Sequence, residues 1–399
     1  MRRVIKVVFS LSALFVSSFS APSVVIADGA TRYVAYGASL DSGLGTSCSD
    51  PGYRSENQAA IVSALEDASE GDTVRICAGE YTFTDTGYSG ALPDGVSIIG
   101  AGAGATVLNG DDTYWLLNIT GGTGLTIRGI TFANGSASYG AALTLQDTEA
   151  TIIGSEFINN TSITSGEDYG GAGIYVYDAS DVTVISSRFE GNVSDEESVG
   201  AAINVYTNGV AAALRVERST FVGNEAGAGP AVYVADWDEL DGDASEIVLM
   251  NNNFIENVNT NPADESADGG AVAFEHTNGN LTMIGNLFRS NTGAYSGGAV
   301  EIWNVTGTIV VERNTFLRNS GGEGGALWID VRNGTRSIRR NVFQRNVATD
   351  SGGAIAFECE TTAPRNVARS LQRSNSFSAN RAGNRRTGDV FASEYGCVN

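Results

Sequence analysis

The chain has 399 residues, of which 50 are glycine and 6 proline, and a formal net charge of −22. That length is large for one compact core but ordinary for a solenoid, whose core grows by stacking, and so little proline excludes a proline-rich linker. The acidic balance argues against nucleic acid or an anionic membrane as partner, and a single histidine, His276, excludes a histidine-rich metal centre.

In chain order, residues 1–27 read as a secretory signal. Arg2, Arg3 and Lys6 precede the apolar run Val7 to Val16, too short for a membrane span, and Val25-Ile26-Ala27 sets cleavage before Asp28. No membrane span is expected after cleavage. Residues 28–72 read as an N-terminal segment with a cap helix. Ser55 and Gln58 fit a capping box, Ile61, Ala64, Leu65 and Ala68 form an apolar face at helical spacing, and Gly71-Asp72 stops the helix. Residues 73–399 read as one repeat domain, its last cap placed around Cys397. Four cysteines allow three pairings. In a solenoid only nearby coils touch, which favours Cys48–Cys77 and Cys359–Cys397, one staple at each end.

The repeat is Phe-x-x-Asn, found at Phe157/Asn160, Phe189/Asn192, Phe221/Asn224, Phe254/Asn257, Phe288/Asn291, Phe316/Asn319, Phe343/Asn346 and Phe377/Asn380, with a degenerate copy around Phe132. Two residues before each Phe stands Ser or Asn. A small-residue turn and a second strand follow, as in Gly269-Gly-Ala-Val and Gly324-Gly-Ala-Leu. A short strand with no partner in its own unit must pair with the next unit. Strands one coil apart then run parallel at about 4.8 Å, so that Phe stacks on Phe and Asn on Asn. Glycine supplies the positive φ of sharp corners. The expected fold is all-β, a right-handed parallel β-helix of about ten coils with a short N-terminal capping helix.

Gly71-Asp-Thr-Val after a helix, followed by Val96-Ser-Ile-Ile-Gly-Ala-Gly, resembles the start of pectin-lyase-like right-handed β-helices. The paired Phe-x-x-Asn and Gly-Gly-Ala-(Ile/Leu/Val) motifs resemble the repeats of polymorphic outer membrane proteins, a family of bacterial surface adhesins. The resemblance covers about residues 55–395. It implies a secreted or cell-surface protein, with association to the outer membrane as one form of retention. Those adhesins end in a membrane β-barrel, whereas the present sequence finishes in an arginine-rich stretch.

Alternation along the strands after the glycine turns directs Tyr175, Tyr177, Tyr206, Tyr233, Glu301, Trp303, Trp328 and Asp330 outward on one sheet. Aromatic faces suit stacking on sugar rings and carboxylates bind hydroxyls, so this strip is the candidate glycan-binding site. β-propensity by itself also places aromatics in strands. Asp236, Asp238, Asp241 and Asp243 form a second candidate, a loop able to hold Ca²⁺ through oxygen, although its spacing is not that of an EF-hand. No cofactor is required, and Ca²⁺ is the one this loop would suit.

Catalytic parts are few. The only lysine is Lys6, inside the signal. No nucleophile elbow occurs, and no Asp-Asp pair is followed by a histidine and an arginine–lysine motif. A Ca²⁺-assisted β-elimination with an arginine base stays open, with Arg215, Arg218 and Arg313 in strands, as does hydrolysis by two carboxylates. The first reading is therefore an extracellular adhesin-like or glycan-binding β-helix without an evident catalytic site. Its partner would be an extracellular polysaccharide or a host or cell-surface glycoprotein. The alternatives are a polysaccharide lyase or hydrolase acting on an acidic polysaccharide, and a structural cell-surface protein. Charge is uneven: residues 28–330 carry 10 Arg against 41 acidic side chains, and residues 331–399 carry 11 Arg against 5. A solvated basic cap is the simplest account of that end.

Overall fold

The computed structural model describes residues 29–164, 170–207, 210–236, 245–261, 269–330, 335–358, 364–383 and 388–392. They wind into a parallel β-helix. Three long sheets run the length of the molecule, with 13, 11 and 11 strands, and successive coils pair in parallel throughout the helix. Each coil contributes one strand to each sheet. In one coil these are Asp181–Ile185, Arg188–Glu190 and Ile203–Thr207.

The register follows the repeat. Phe157 pairs with Phe189 and Phe189 with Phe221, and the same pairing continues to Phe377. The rings from Phe132 to Phe377 stack with centroids 4.6–5.1 Å apart and planes within 2–9°. Inward positions of the third sheet, such as Ile174, Val176, Ile203 and Val205, are wholly buried in the same core.

Behind each Phe the asparagines form a ladder. The Nδ2 of Asn160 donates to Asn192 Oδ1 on the next coil, and the chain of bonds continues to Asn380 at 2.9–3.0 Å. Each Nδ2 also donates to the carbonyl of a Phe one coil back, as Asn257 does to Phe221 at 3.2 Å. A second ladder, Asn252 to Asn375, lines the corner before the second sheet. Its earlier rungs are serines: Ser155 N–H donates to Ser187 Oγ.

These ladders alter the role expected for glycine. The residue before each ladder Asn lies at positive φ, and it is glycine at only two of eight positions. The others include Glu256 at 55°, Arg318 at 57° and Arg345 at 56°. The buried amide binds the corner backbone on every coil, and this offsets the cost of the left-handed conformation. Glycine is obligatory instead at the Gly-Gly-Ala turn. At Gly324 φ is 61°, and a Cβ would lie 2.3 Å from the Leu327 carbonyl oxygen.

Both ends are covered. At the N-terminal end a helix, α1 (Ala59–Glu66), buries Ala60, Ile61, Ala64 and Leu65. The expected reciprocal capping box does not form. Ser55 Oγ accepts from Ala60 N–H at 3.2 Å, but Gln58 Oε1 turns away to accept from Thr84 N–H, where it ties the helix to a coil. The helix also stops earlier than Gly71. Buried Asp72 accepts instead from the Ala30 and Ser69 N–H groups and pairs with Arg32. Cys48 and Cys77 are joined as expected. Cys359 and Cys397 lie outside the described residues, as does the signal segment.

At the C-terminal end a second helix, α2 (Pro364–Ser374), sets Leu371, Val367 and Ala368 against the core and packs on the strand Val390–Ala392. The cap expected around Cys397 lies outside the described residues. The helix escapes sequence reading because only three apolar residues interrupt a run rich in arginine. No helix among the described residues is long and apolar enough to cross a membrane.

Candidate functional site: the outer face of the third sheet

Register fixes two outward rows on this sheet. One runs Asn118, Thr144, Tyr175, Asn204, Tyr233, Ala273, Glu301, Trp328. The other runs Thr120, Gln146, Tyr177, Tyr206, Ala235, Glu275, Trp303, Asp330. The sequence-derived residues do share one face, but the face is divided into an open part and a closed part.

The open part lies over the early coils. Asn118, Tyr139, Thr144, Gln146, Tyr175, Tyr177 and Tyr206 line a cavity of about 350 Å³. A neighbouring cavity of about 220 Å³ shares Asn118, Tyr139 and Thr144 and adds Trp115 and Ser138. The rings are ordered. Tyr177 stacks on Tyr206, one coil away, at 5.8 Å and 12°, and on Tyr175 at 6.0 Å and 13°. Tyr139 leans over Tyr175 at 5.1 Å with 44% of its surface exposed. Gln146 Nε2 donates to Asp178 Oδ2 at 2.8 Å, which fixes the amide at the rim. Among the described lining residues none carries a charge.

The closed part lies over the later coils. Tyr233, Glu301, Trp328 and Asp330 are buried, and only Trp303 of the later aromatic and acidic positions keeps partial exposure. This corrects the expectation of one continuous open strip. An outward position is exposed only where nothing folds over it. The segments leading into the glycine turns do fold over it: Val199 and Ala228 form a second apolar cluster with Tyr233, Ala235 and Ala273. Tyr233 Oη donates to Glu275 Oε2 at 3.1 Å, and Ser296 Oγ donates to Glu301. His276, expected at a strand end on the surface, is half-buried there. Its Nδ1 faces Asn304 Nδ2 at 3.0 Å and its ring meets Trp303 edge-on at 4.3 Å.

The other candidates do not join this face. Arg215 and Arg218 both pair with Glu217 at the end of the strand Ala213–Glu217 in the first sheet, and Arg313 lies exposed at a corner. Asp238, Asp241 and Asp243 lie outside the described residues, as does the side chain of Asp236. Among the described residues no group of three His, Cys, Asp or Glu side chains could hold a metal ion. Trp115, Asn118, Tyr139, Thr144 and Gln146 were missed in the sequence because their coils carry degenerate repeats. The signal was present: Tyr139-Gly140-Ala-Ala-Leu is a loose glycine turn, and its strand aligns with Ile174–Tyr177.

Comparison with known proteins bears on the fold. The family model described as "Right handed beta helix region" matches residues 82–239. No curated protein matches the chain. Similar solved structures include a PL6 alginate lyase in complex with a trisaccharide, at 15% identity and TM-score 0.42, covering 89% of this chain and 85% of that one. A pectate lyase aligns at 12% identity and TM-score 0.37, covering 82% and 78%. The catalytic unit of a GH87 α-1,3-glucanase from Streptomyces thermodiastaticus aligns at 14% identity and TM-score 0.31, covering 93% and 71%. The repeat, the register and the family match within residues 82–239 together identify the fold as a right-handed parallel β-helix.

Proposed function

We propose that the protein is an extracellular, adhesin-like β-helix that binds a polysaccharide in the tyrosine groove of its third sheet. The observation carrying this reading is the ordered set of Tyr177, stacked on Tyr206 one coil away and on the largely buried Tyr175 of its own strand, beside the polar side chains of Asn118, Thr144 and Gln146. Aromatic faces cover the apolar faces of sugar rings, while amides and hydroxyls meet sugar hydroxyls.

A second reading is a polysaccharide lyase or hydrolase. It is favoured by Glu275, Glu301 and Asp330, three carboxylates placed outward on successive coils and shut from water. One experiment separates the two. The purified protein is incubated with neutral and uronate polysaccharides in the presence of Ca²⁺ and run on size-exclusion chromatography. Intact chains co-eluting with protein support binding, and shortened chains establish cleavage in its place. Tyr177→Ala should weaken binding about tenfold, the loss of one aromatic contact worth ~1.4 kcal/mol. Wild-type affinity in Tyr177→Ala and Tyr206→Ala would sink the groove as the site.

A further inference from the structure

The outer side of the second sheet changes sign along its length. In the middle coils its exposed corners carry Glu225 and Glu256. In the later coils they carry arginine. Arg313 and Arg340 stand at the corner before the strands Thr315–Leu317 and Val342–Gln344, and Arg318 and Arg345 stand immediately after them. Leu317 pairs with Gln344, so each arginine lies one coil from its counterpart. Arg289, in register with Leu317, and Arg381, in register with Val347, stand beside this row on the flanking coils. All six are exposed, and none forms an ion pair among the described residues. Glu312, the carboxylate beside Arg313, is already bonded to Arg339 at 2.6 Å and Ser337 at 2.8 Å.

We propose that this face of the last coils is a second binding surface, for an anionic polysaccharide whose sugar units carry carboxylate or sulfate. The chain would run along the helix axis between the two arginine rows. Three features favour that occupant. Arginine presents a planar fork that grips carboxylate and sulfate oxygens two at a time. One arginine per coil repeats at about 4.8 Å, a pitch suited to a ligand with regularly spaced charges. The basic strip extends over only about four coils, roughly 20 Å at that rise, before Glu256 and Glu225 reverse its sign. A stiff duplex or a flat anionic membrane would extend over those glutamates, whereas a short run of flexible glycan would not. A second copy of this chain would have to offer a matching acidic row, but Arg188 and Arg218 interrupt the glutamates on its own second-sheet side, and Arg188 is paired with Glu190.

The test uses the full protein, with fluorescein-labelled polygalacturonate and dextran sulfate followed by anisotropy in 50 mM and 200 mM NaCl. Neutral dextran and duplex DNA are the controls. The variant is Arg318→Asn, Arg340→Asn and Arg345→Asn combined. These residues sit at φ 57°, 59° and 56°, where asparagine is better tolerated than arginine, so the fold is kept while the charge is removed. At least one anionic glycan should bind, at least tenfold more weakly at the higher salt. The triple variant should lose at least tenfold in affinity with an unreduced melting temperature, and the two probes identify the preferred anion. The triple variant should keep wild-type binding of any neutral polysaccharide held by the tyrosine groove, which separates this surface from the groove. Binding of neither anionic glycan, wild-type affinity in the triple variant, or equal affinity for duplex DNA would overturn the proposal. So would salt-sensitive dimerisation without glycan uptake that the triple variant abolishes.

Discussion

Replacing Asn257 by alanine tests whether the asparagine ladder holds the coils together. Its Oδ1 accepts from the Asn224 backbone N–H at 3.2 Å and from Asn224 Nδ2 at 2.9 Å. Its Nδ2 donates to the Phe221 carbonyl at 3.2 Å and to Asn291 Oδ1 at 3.0 Å. All of this is shut from water, and Asn257 itself is 0% exposed. Each hydrogen bond contributes about 1 kcal/mol net, and leaving a buried group unpaired costs about 1–3 kcal/mol. Asn291 Oδ1 keeps a bond from the Asn257 backbone N–H and the Phe221 carbonyl keeps its place in the strand ladder, so the main orphan is the Asn224 N–H. The expected loss is therefore ~4–6 kcal/mol, a large share of an ordinary domain's ~5–15 kcal/mol. Asn380 makes the same kinds of bond but is only partly buried at the last described rung, and water can replace what alanine removes there. Its loss should be ~1–2 kcal/mol. Urea unfolding followed by far-UV circular dichroism measures both. A loss below ~1 kcal/mol for Asn257→Ala, or equal losses at the two sites, would refute the ladder as a main source of stability.

Further outcomes follow from the same geometry. Phe254→Ala removes a fully buried ring stacked on both sides and should cost ~3–5 kcal/mol in urea unfolding. Ala379→Gly, at φ 55°, should be neutral or raise the melting temperature, whereas Gly324→Ala should lower it because its Cβ meets the Leu327 carbonyl. Reducing Cys48–Cys77, which closes a separation of 29 residues, should cost ~3–4 kcal/mol, seen as a lower melting temperature in dithiothreitol and in the double serine variant. Burial pushes the Glu312 carboxyl up, but hydrogen bonds from Arg339 and Ser337 outweigh it and hold it below its usual value. That contribution is present above the unfolded-state value of about 4.3 and lost as pH falls through the lower folded one. Glu312→Gln should therefore flatten the stability profile below about pH 4, and an unchanged profile would exclude the pair as its source.

The sequence by itself determined the coil. A strand that finds no partner within its unit has to pair with the next unit. The recurrence of Phe, Asn and Gly-Gly-Ala therefore specified the register, the inward positions and the stacking of like on like. It also paired Cys48 with Cys77, because only neighbouring coils touch. Tertiary structure decided what the coil exposes. Alternation showed that Tyr177 and Tyr233 point outward alike, yet Tyr177 lines an open cavity and Tyr233 is covered by Val199 and Ala228. The difference lies in how the connecting segments fold back over the sheet, which periodicity within a strand does not encode. The helix α2 was hidden for a related reason, since its few apolar residues gain meaning only against the open end of a core they close. The arginine rows make the same point: Arg318 and Arg345 are 27 positions apart in the chain, and stacking brings them to the same place on successive coils.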